Sequence, residues 1–295
     1  ICEGLVGSEM CIRDRSLGND FVVIDGVTQF FEPSSKEISK VLNFDHDFSI
    51  DQIMLILPPS NSKFDFQIKI FNQDGSEAEN CVNGIRCISK YIFDQKLVFS
   101  DQINFMVGND LVIVSNTKKN QLKVDMFNIS FESEDIGIKN DNINSFSFND
   151  KEIFFDAVSV GNPHAVIFNY DKELNVPEVG AALQESGIFK DGVNVGFANS
   201  INDSEINLRV VERGVGETQA CGSGACAAAI IGRKTRNLNQ KIKVNFNEGF
   251  LETETDLSCG KVSLTGTANY RAKAVTLNIW VSSVKKYLKV KLLNI

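Results

Sequence analysis

Histidine is nearly missing from this chain. Its 295 residues include two, His46 and His164, with one tryptophan and five prolines. A structural zinc site draws on clustered cysteine and histidine, and two distant histidines beside single, scattered thiols do not supply one. No apolar run approaches the roughly 18 residues of a membrane-spanning helix, so no membrane partner is expected. Basic residues are not massed either. The net charge is −8 and the pI about 5.0. Lys285, Lys286, Lys289 and Lys291 make the one basic cluster, which reads as the solvated face of a last strand. A nucleic-acid surface needs more positive charge than that. A secretory leader is not evident, because Glu3, Glu9, Arg13, Asp14 and Arg15 interrupt the first fifteen residues. A disulfide framework is also unsupported: seven cysteines are an odd, dispersed set in a chain long enough to bury a core. Reduced thiols and a cytoplasmic location follow as expectations. Residues 1–15 have no clean period and read as a non-native segment.

What the chain does have is an internal echo. Glu79 to Cys87 reads E-N-C-V-N-G-I-R-C, and Gln219 to Cys226 reads Q-A-C-G-S-G-A-C. Leu17 to Ile24 (L-G-N-D-F-V-V-I) resembles Val160 to Ile167 (V-G-N-P-H-A-V-I), and Asp51-Gln52 answers Val193-Asn194. The landmarks keep their order at an offset of about 140 residues, which indicates duplicated domains rather than a solenoid.

Each half is rich in short β-branched or aromatic runs separated by Gly, Asn, Asp and Ser. In the first half these are 21–24, 52–57, 64–71, 102–107, 110–115 and 121–127. In the second they are 153–160, 165–170, 205–211, 242–246 and 261–265. One helix is predicted just after each cysteine, over Asn83–Phe93 and Ser223–Arg233. The Asn-rich stretch from Asn140 to Asn149 reads as a solvated loop. The expectation is an α+β protein of two pseudo-symmetric duplicated domains, 16–125 and 126–269, facing each other with a cysteine at a helix N-terminus in each. A strand from 270–295 is a candidate to complete the first.

A helix N-terminus exposes unpaired N–H groups and partial positive charge. A cysteine there is a better thiolate, and the N–H groups can hold a carboxylate. Gly84, Gly222 and Gly224 let backbone approach a ligand. Two such helices aimed at one carboxylate would stabilise the charge that develops when its α-proton leaves. A thiolate on one face and a thiol on the other would then invert the carbon with no metal or other cofactor. The remaining cysteines carry no such context. Cys87 and Cys226 read as helix core, and Cys2, Cys11 and Cys259 as small buried hydrophobes. His46 reads as a loop residue.

The segments G-N-D-F, F-N-x-D-G-S-E, C-x-N-G-x-R-C, G-N-P-H, N-V-G-F and E-R-G-x-G-E-T-x-A-C-G-S-G-A-C span Leu17 to about Thr267. Together they resemble the diaminopimelate epimerases, the last motif being long and specific. The resemblance implies two domains, each a mixed or antiparallel sheet wrapped round a central helix, with the active site in the interdomain cleft. It implies cofactor-independent interconversion of LL- and meso-2,6-diaminopimelate, for lysine and peptidoglycan synthesis, by a homodimer. By resemblance Cys81 and Cys221 are the acid–base pair, and His164 and Glu212 assist their ionisation. Asn19, Gln52, Asn72, Asn162, Asn194, Glu212 and Arg213 match substrate-binding positions. The N–H groups of Val82, Asn83, Gly222 and Ser223 match the carboxylate cradle. Val82 departs from the glycine usual there, and Asp45 to Asp51 lacks the usual glycines. The alternatives are a proline or hydroxyproline racemase of the same superfamily, and an inactive binding paralogue.

Overall fold

The computed structural model describes residues 20–28, 34, 38, 51–78, 81–117, 121–139, 143–247, 249–281 and 284–294. Asn19, Cys2, Cys11, His46 and the 1–15 segment lie outside them. In the first half the elements are β1 (Asp20–Asp25), β2 (Gln52–Leu57), β3 (Phe66–Asn72), β4 (Glu77–Ala78), α1 (Val82–Asp94), β5 (Gln102–Val107), β6 (Asp110–Asn116) and β7 (Leu122–Met126). The second half begins with β8 (Ile129–Ser130), α2 (Ser133–Ile136), β9 (Ser145–Phe148), β10 (Lys151–Phe154), β11 (Asp156–Val160), β12 (Pro163–Phe168) and α3 (Val176–Glu185). It continues with β13 (Asn194–Asn202), β14 (Glu205–Glu212), β15 (Gly216–Thr218), α4 (Gly222–Thr235), β16 (Lys241–Phe246), β17 (Gly249–Asp256) and β18 (Lys261–Gly266). Strands β19 (Asn269–Val281) and β20 (Val284–Asn294) end the chain.

The pairings repeat. In the first half β1 runs parallel to β2, β2 antiparallel to β3, β3 parallel to β5, and β5, β6 and β7 follow as a meander. In the second half β12, β13, β14, β16, β17 and β18 do the same in the same senses. Short β4 and β15 sit on β3 and β14, just ahead of each cysteine. The halves join where β7 and β18 pair antiparallel, Val124 opposite Leu264. At the far edges β11 lies antiparallel on β12, and β20 lies antiparallel on β1, Val22 opposite Leu292. The chain's last strand therefore lies beside its first described one.

Inside this sheet sit the two helices. In α4 every residue from Gly222 to Gly232 is buried, and most of α1 is too. A helix apolar all round belongs in the middle of a core, and α4 packs against β11, β12, β13, β17 and β18. Period-2 alternation gives the second half an outer layer as well. Val166 on β12 faces the inner core, while Ala165 and Ile167 pack outward with Val176, Val179 and Leu183 of α3.

Three expectations change. The run 153–160 is two strands: β10 pairs with β9 as a separate hairpin, and β11 joins the main sheet. Between them Phe155 turns into the outer core, and the β-rich composition on both sides of Asp156 made the two strands read as one. The stretch around 140–149 contributes strand β9, with Phe146 buried. Cys259 is exposed in the β17–β18 turn rather than buried. Asp256 and Gly260 shape that turn, one accepting from the Ser258 amide and the other at φ +63°.

At the end of β1, Asp25 is 3% exposed. It accepts from the amides of Val27 and Thr28, both at 2.9 Å, from the Thr28 hydroxyl, and from Tyr91 Oη of α1 at 3.0 Å. One carboxylate thus closes the turn and ties β1 to the helix. Asp25→Ala leaves the buried Tyr91 hydroxyl without this acceptor and should cost about 2–4 kcal/mol. Urea unfolding reads the loss, which Tyr91→Phe should share only in part.

Candidate active site

Cys81 and Cys221 are the N-cap residues of α1 and α4. Both have extended backbones, and each sulfur accepts from the third amide of its helix: Gly84 N–H at 3.3 Å and Gly224 N–H at 3.4 Å. The fourth amides, of Ile85 and Ala225, go to the two cysteine carbonyls. The first two amides of each helix are those of Val82 and Asn83, then Gly222 and Ser223, positions that have no partner within the helix. Neither first turn carries an acidic residue that would compete with an incoming carboxylate for the dipole.

The two helix ends meet. A Cβ added to Gly222 would fall 2.6 Å from Asn83 Oδ1 and 3.1 Å from Val82 Cβ. These are first-turn residues of opposite helices, so the two amide sets and the two cysteines share one location. Val82 is buried and opens α1 in helical conformation, so its side chain brings no positive-φ strain. Gly222 supplies the room for it.

Around the sulfurs the halves differ. Glu212 Oε2 accepts from Cys221 Sγ at 3.3 Å, and Ser223 Oγ lies 3.4 Å from the same sulfur. The other Glu212 oxygen is held by Thr218 Oγ1. Asn72 stands at the corresponding place in the first half, where Gln52 Nε2 donates to its Oδ1 at 2.9 Å. Burial pushes the Cys81 thiol up to about 12, opposed by the Gly84 amide and the Arg86 charge and reinforced by Glu212 and Asp51. Burial also raises Cys221 well above its ordinary value, with the Glu212 charge adding to it. The Glu212 carboxyl is itself raised by burial, against the hydrogen bonds from Thr218 and Cys221.

The remaining predicted residues fall into two groups. Asn194 lies opposite His164 across β12 and β13, and its Oδ1 accepts from the Arg213 amide at 2.9 Å. The Arg213 side chain is exposed and donates to the Asp191 carbonyl at 2.9 Å. Gly192, at φ +79°, makes space for it, since a Cβ there would sit 2.9 Å from Arg213 Cδ. His164 is buried, and its Nε2 lies 3.2 Å from Asn162 Oδ1. Burial, with the Arg213 charge, lowers its pKa to about 3, so the ring is neutral. Among the described residues its hydrogen-bonding partner is Asn162 rather than either sulfur. Sequence reading passed over Thr218, although it follows Glu217 in the long second motif and lies within reach of Glu212 only once β15 folds back on β14. It also passed over Gly192 and Arg86.

A sequence model of diaminopimelate epimerase matches residues 12–107 and 156–271, well over half the chain. The chain belongs to the diaminopimelate epimerase family. Solved structures share the fold: a hydroxyproline epimerase from Agrobacterium vitis has a TM-score of 0.59 at 14% identity, covering 85% of this chain and 86% of that one. A PhzF-family phenazine biosynthesis protein from Bacillus anthracis has 0.56 at 11%, covering 97% and 96%. A methylitaconate-delta-isomerase has 0.58 at 13%, covering 84% and 90%. At such identities the likeness speaks for the fold of duplicated domains. Family membership places the chain among isomerases.

Gly222→Ala tests the meeting of the helix ends. Alanine is the better helix former by about 1 kcal/mol, yet its methyl must displace Asn83. Stability measured in urea should change little, while isomerase turnover should fall about a hundredfold. Unchanged turnover would show that the two helix ends do not crowd one ligand.

Proposed function

We propose that this protein interconverts LL- and meso-2,6-diaminopimelate by two-base proton transfer, using no cofactor. The observation that carries the reading is the pair of cysteines capping two helices whose first turns touch. The α-carboxylate is cradled by the amides of Val82, Asn83, Gly222 and Ser223. One cysteine, as thiolate, takes the α-proton: the Cα–H bond breaks and an S–H bond forms. The electron pair is delocalised into the carboxylate, where the two helix ends stabilise it. The opposite thiol then delivers its own proton to the other face, and the configuration inverts. Glu212 accepts from Cys221 and draws its proton when that sulfur acts as base, and neutral His164 orients Asn162.

The substrate's distal end carries both an ammonium and a carboxylate. Gln52, Asn72, Asn162 and Asn194 offer amide donors and acceptors for it, with Asn19 a further candidate. Arg213 offers a forked cation. A monocarboxylic imino acid, as in the hydroxyproline epimerase fold relative, would leave much of that array unused, which favours the dicarboxylate. With this reading go a cytoplasmic homodimer and a place in lysine and peptidoglycan precursor synthesis.

Incubating reduced protein with LL-diaminopimelate in deuterated water should place deuterium at Cα and yield the meso isomer. Neither exchange nor product from folded protein would defeat the proposal, and turnover of hydroxyproline in its place would move the assignment to the racemases. Cys81→Ala and Cys221→Ala should each abolish net epimerisation, and full activity in either would exclude two bases. Thr218→Val removes a hydrogen bond that holds the Glu212 carboxyl down. Its pKa should rise, so the acid limb of the pH–rate profile should move to higher pH, with the alkaline limb in place.

A further inference from the structure

Five residues beyond Cys81, on the same helix, Arg86 is completely buried. Among the described residues none of its three guanidinium nitrogens has a hydrogen-bond partner. A buried arginine is ordinarily paired with a carboxylate or with carbonyls. Its head lies across the seam between the halves. A Cβ on Gly266 of β18 would fall 3.3 Å from both Arg86 Cζ and Nε, so a glycine there leaves room for the guanidinium. Among the described residues, the titratable groups whose charges act on it are thiols: Cys87 beside it, Cys81 at the head of its helix, and Cys226 on α4. Cys226 occupies the same place after Cys221 that Arg86 occupies after Cys81. At this position the duplication is therefore broken by a buried cation in the first half, where the second half has a thiol.

We propose that Arg86 is a positioning residue whose buried positive charge favours the thiolate of Cys81, so that negative charge in the thiol pair resides on Cys81 rather than Cys221. The inference rests on Cys81 being a reacting thiol, as in the proposed function, but not on the identity of the substrate. The charged groups acting on Cys81 are Arg86, which favours its thiolate, and Glu212 and Asp51, which oppose it. Cys221 has Glu212 hydrogen-bonded to it, and that charge disfavours its thiolate. Arg86 is itself held down to about 10 by burial and supported by the neighbouring thiols, so it keeps its proton through neutral pH. A low-dielectric interior makes its field at the helix head stronger and less screened than that of any surface cation.

Alkylation of Cys81 by iodoacetamide, followed by peptide mass analysis without substrate, reads the thiolate directly. Arg86→Gln should slow Cys81 alkylation about tenfold at mildly alkaline pH, equivalent to an upward pKa shift of about one unit. Cys221 alkylation should change much less. Arg86→Lys should restore most of the rate, which a purely packing role would not do. Should Arg86→Gln fail to fold, the wild-type protein still decides. Raising KCl to about 0.5 M should leave its Cys81 rate unaltered, because a buried charge is not screened. Equal Cys81 rates in the Gln variant and wild type, or a wild-type rate that falls steeply with salt, would overturn the proposal. Failure of diaminopimelate turnover alone would leave these rates untouched and would count against the proposed substrate instead.

Discussion

Two helices meeting end to end is the constraint on which the rest of the structure depends. Helix ends carry like partial charge and unpaired amides, so placing two of them together is unfavourable unless something negative comes between. The protein enforces the meeting by burying both helices inside one continuous sheet. Val82 packs where Gly222 lacks a side chain, and each cysteine occupies the third amide of its own helix. What remains at the junction is four amides and two sulfurs. On that junction the proposed proton exchange rests.

The frame is symmetric and its furnishing is not. The strand pairings repeat sense for sense, and the cysteines hold equivalent positions. Yet Glu212 stands where the first half has Asn72, and Cys226 where it has Arg86. A perfectly symmetric pair of thiols would share its charge evenly. A carboxylate beside Cys221 and a guanidinium behind Cys81 both act to separate the two protonation states, one from each side. Burial raises both thiols, so such biases decide which sulfur holds the proton.

Much of this was legible in the residues. The repeated C-x-x-G pattern located both helix starts to within a residue, because a cap residue and the glycine beside it are local requirements. Most strand positions followed from β-branched runs, though β13 and β17 were not among those expected. The parts that escaped share a different cause. The break at Phe155 lies in a run of strand-forming residues on both sides of Asp156, and only the choice between two sheets separates its halves. Thr218 touches Glu212 because β15 folds back over β14, a pairing no local pattern announces. Cys259 is exposed because of the turn around it, whereas composition alone favours burial for a cysteine.

By itself the sequence determined the duplication, the two thiols, their helix-capping positions and the family. Those are matters of local chemistry and order along the chain. Tertiary structure alone decided that Gly222 faces Val82 and Asn83, that the last strand lies against β1, and that Arg86 is sealed without a hydrogen-bonding partner among the described residues. Each of these joins residues far apart in the chain, brought together by strand pairing and core packing. An arginine in the second turn of an apolar helix could as well have reached solvent. The seam between the two halves, with Gly266 set against it, is what keeps it inside.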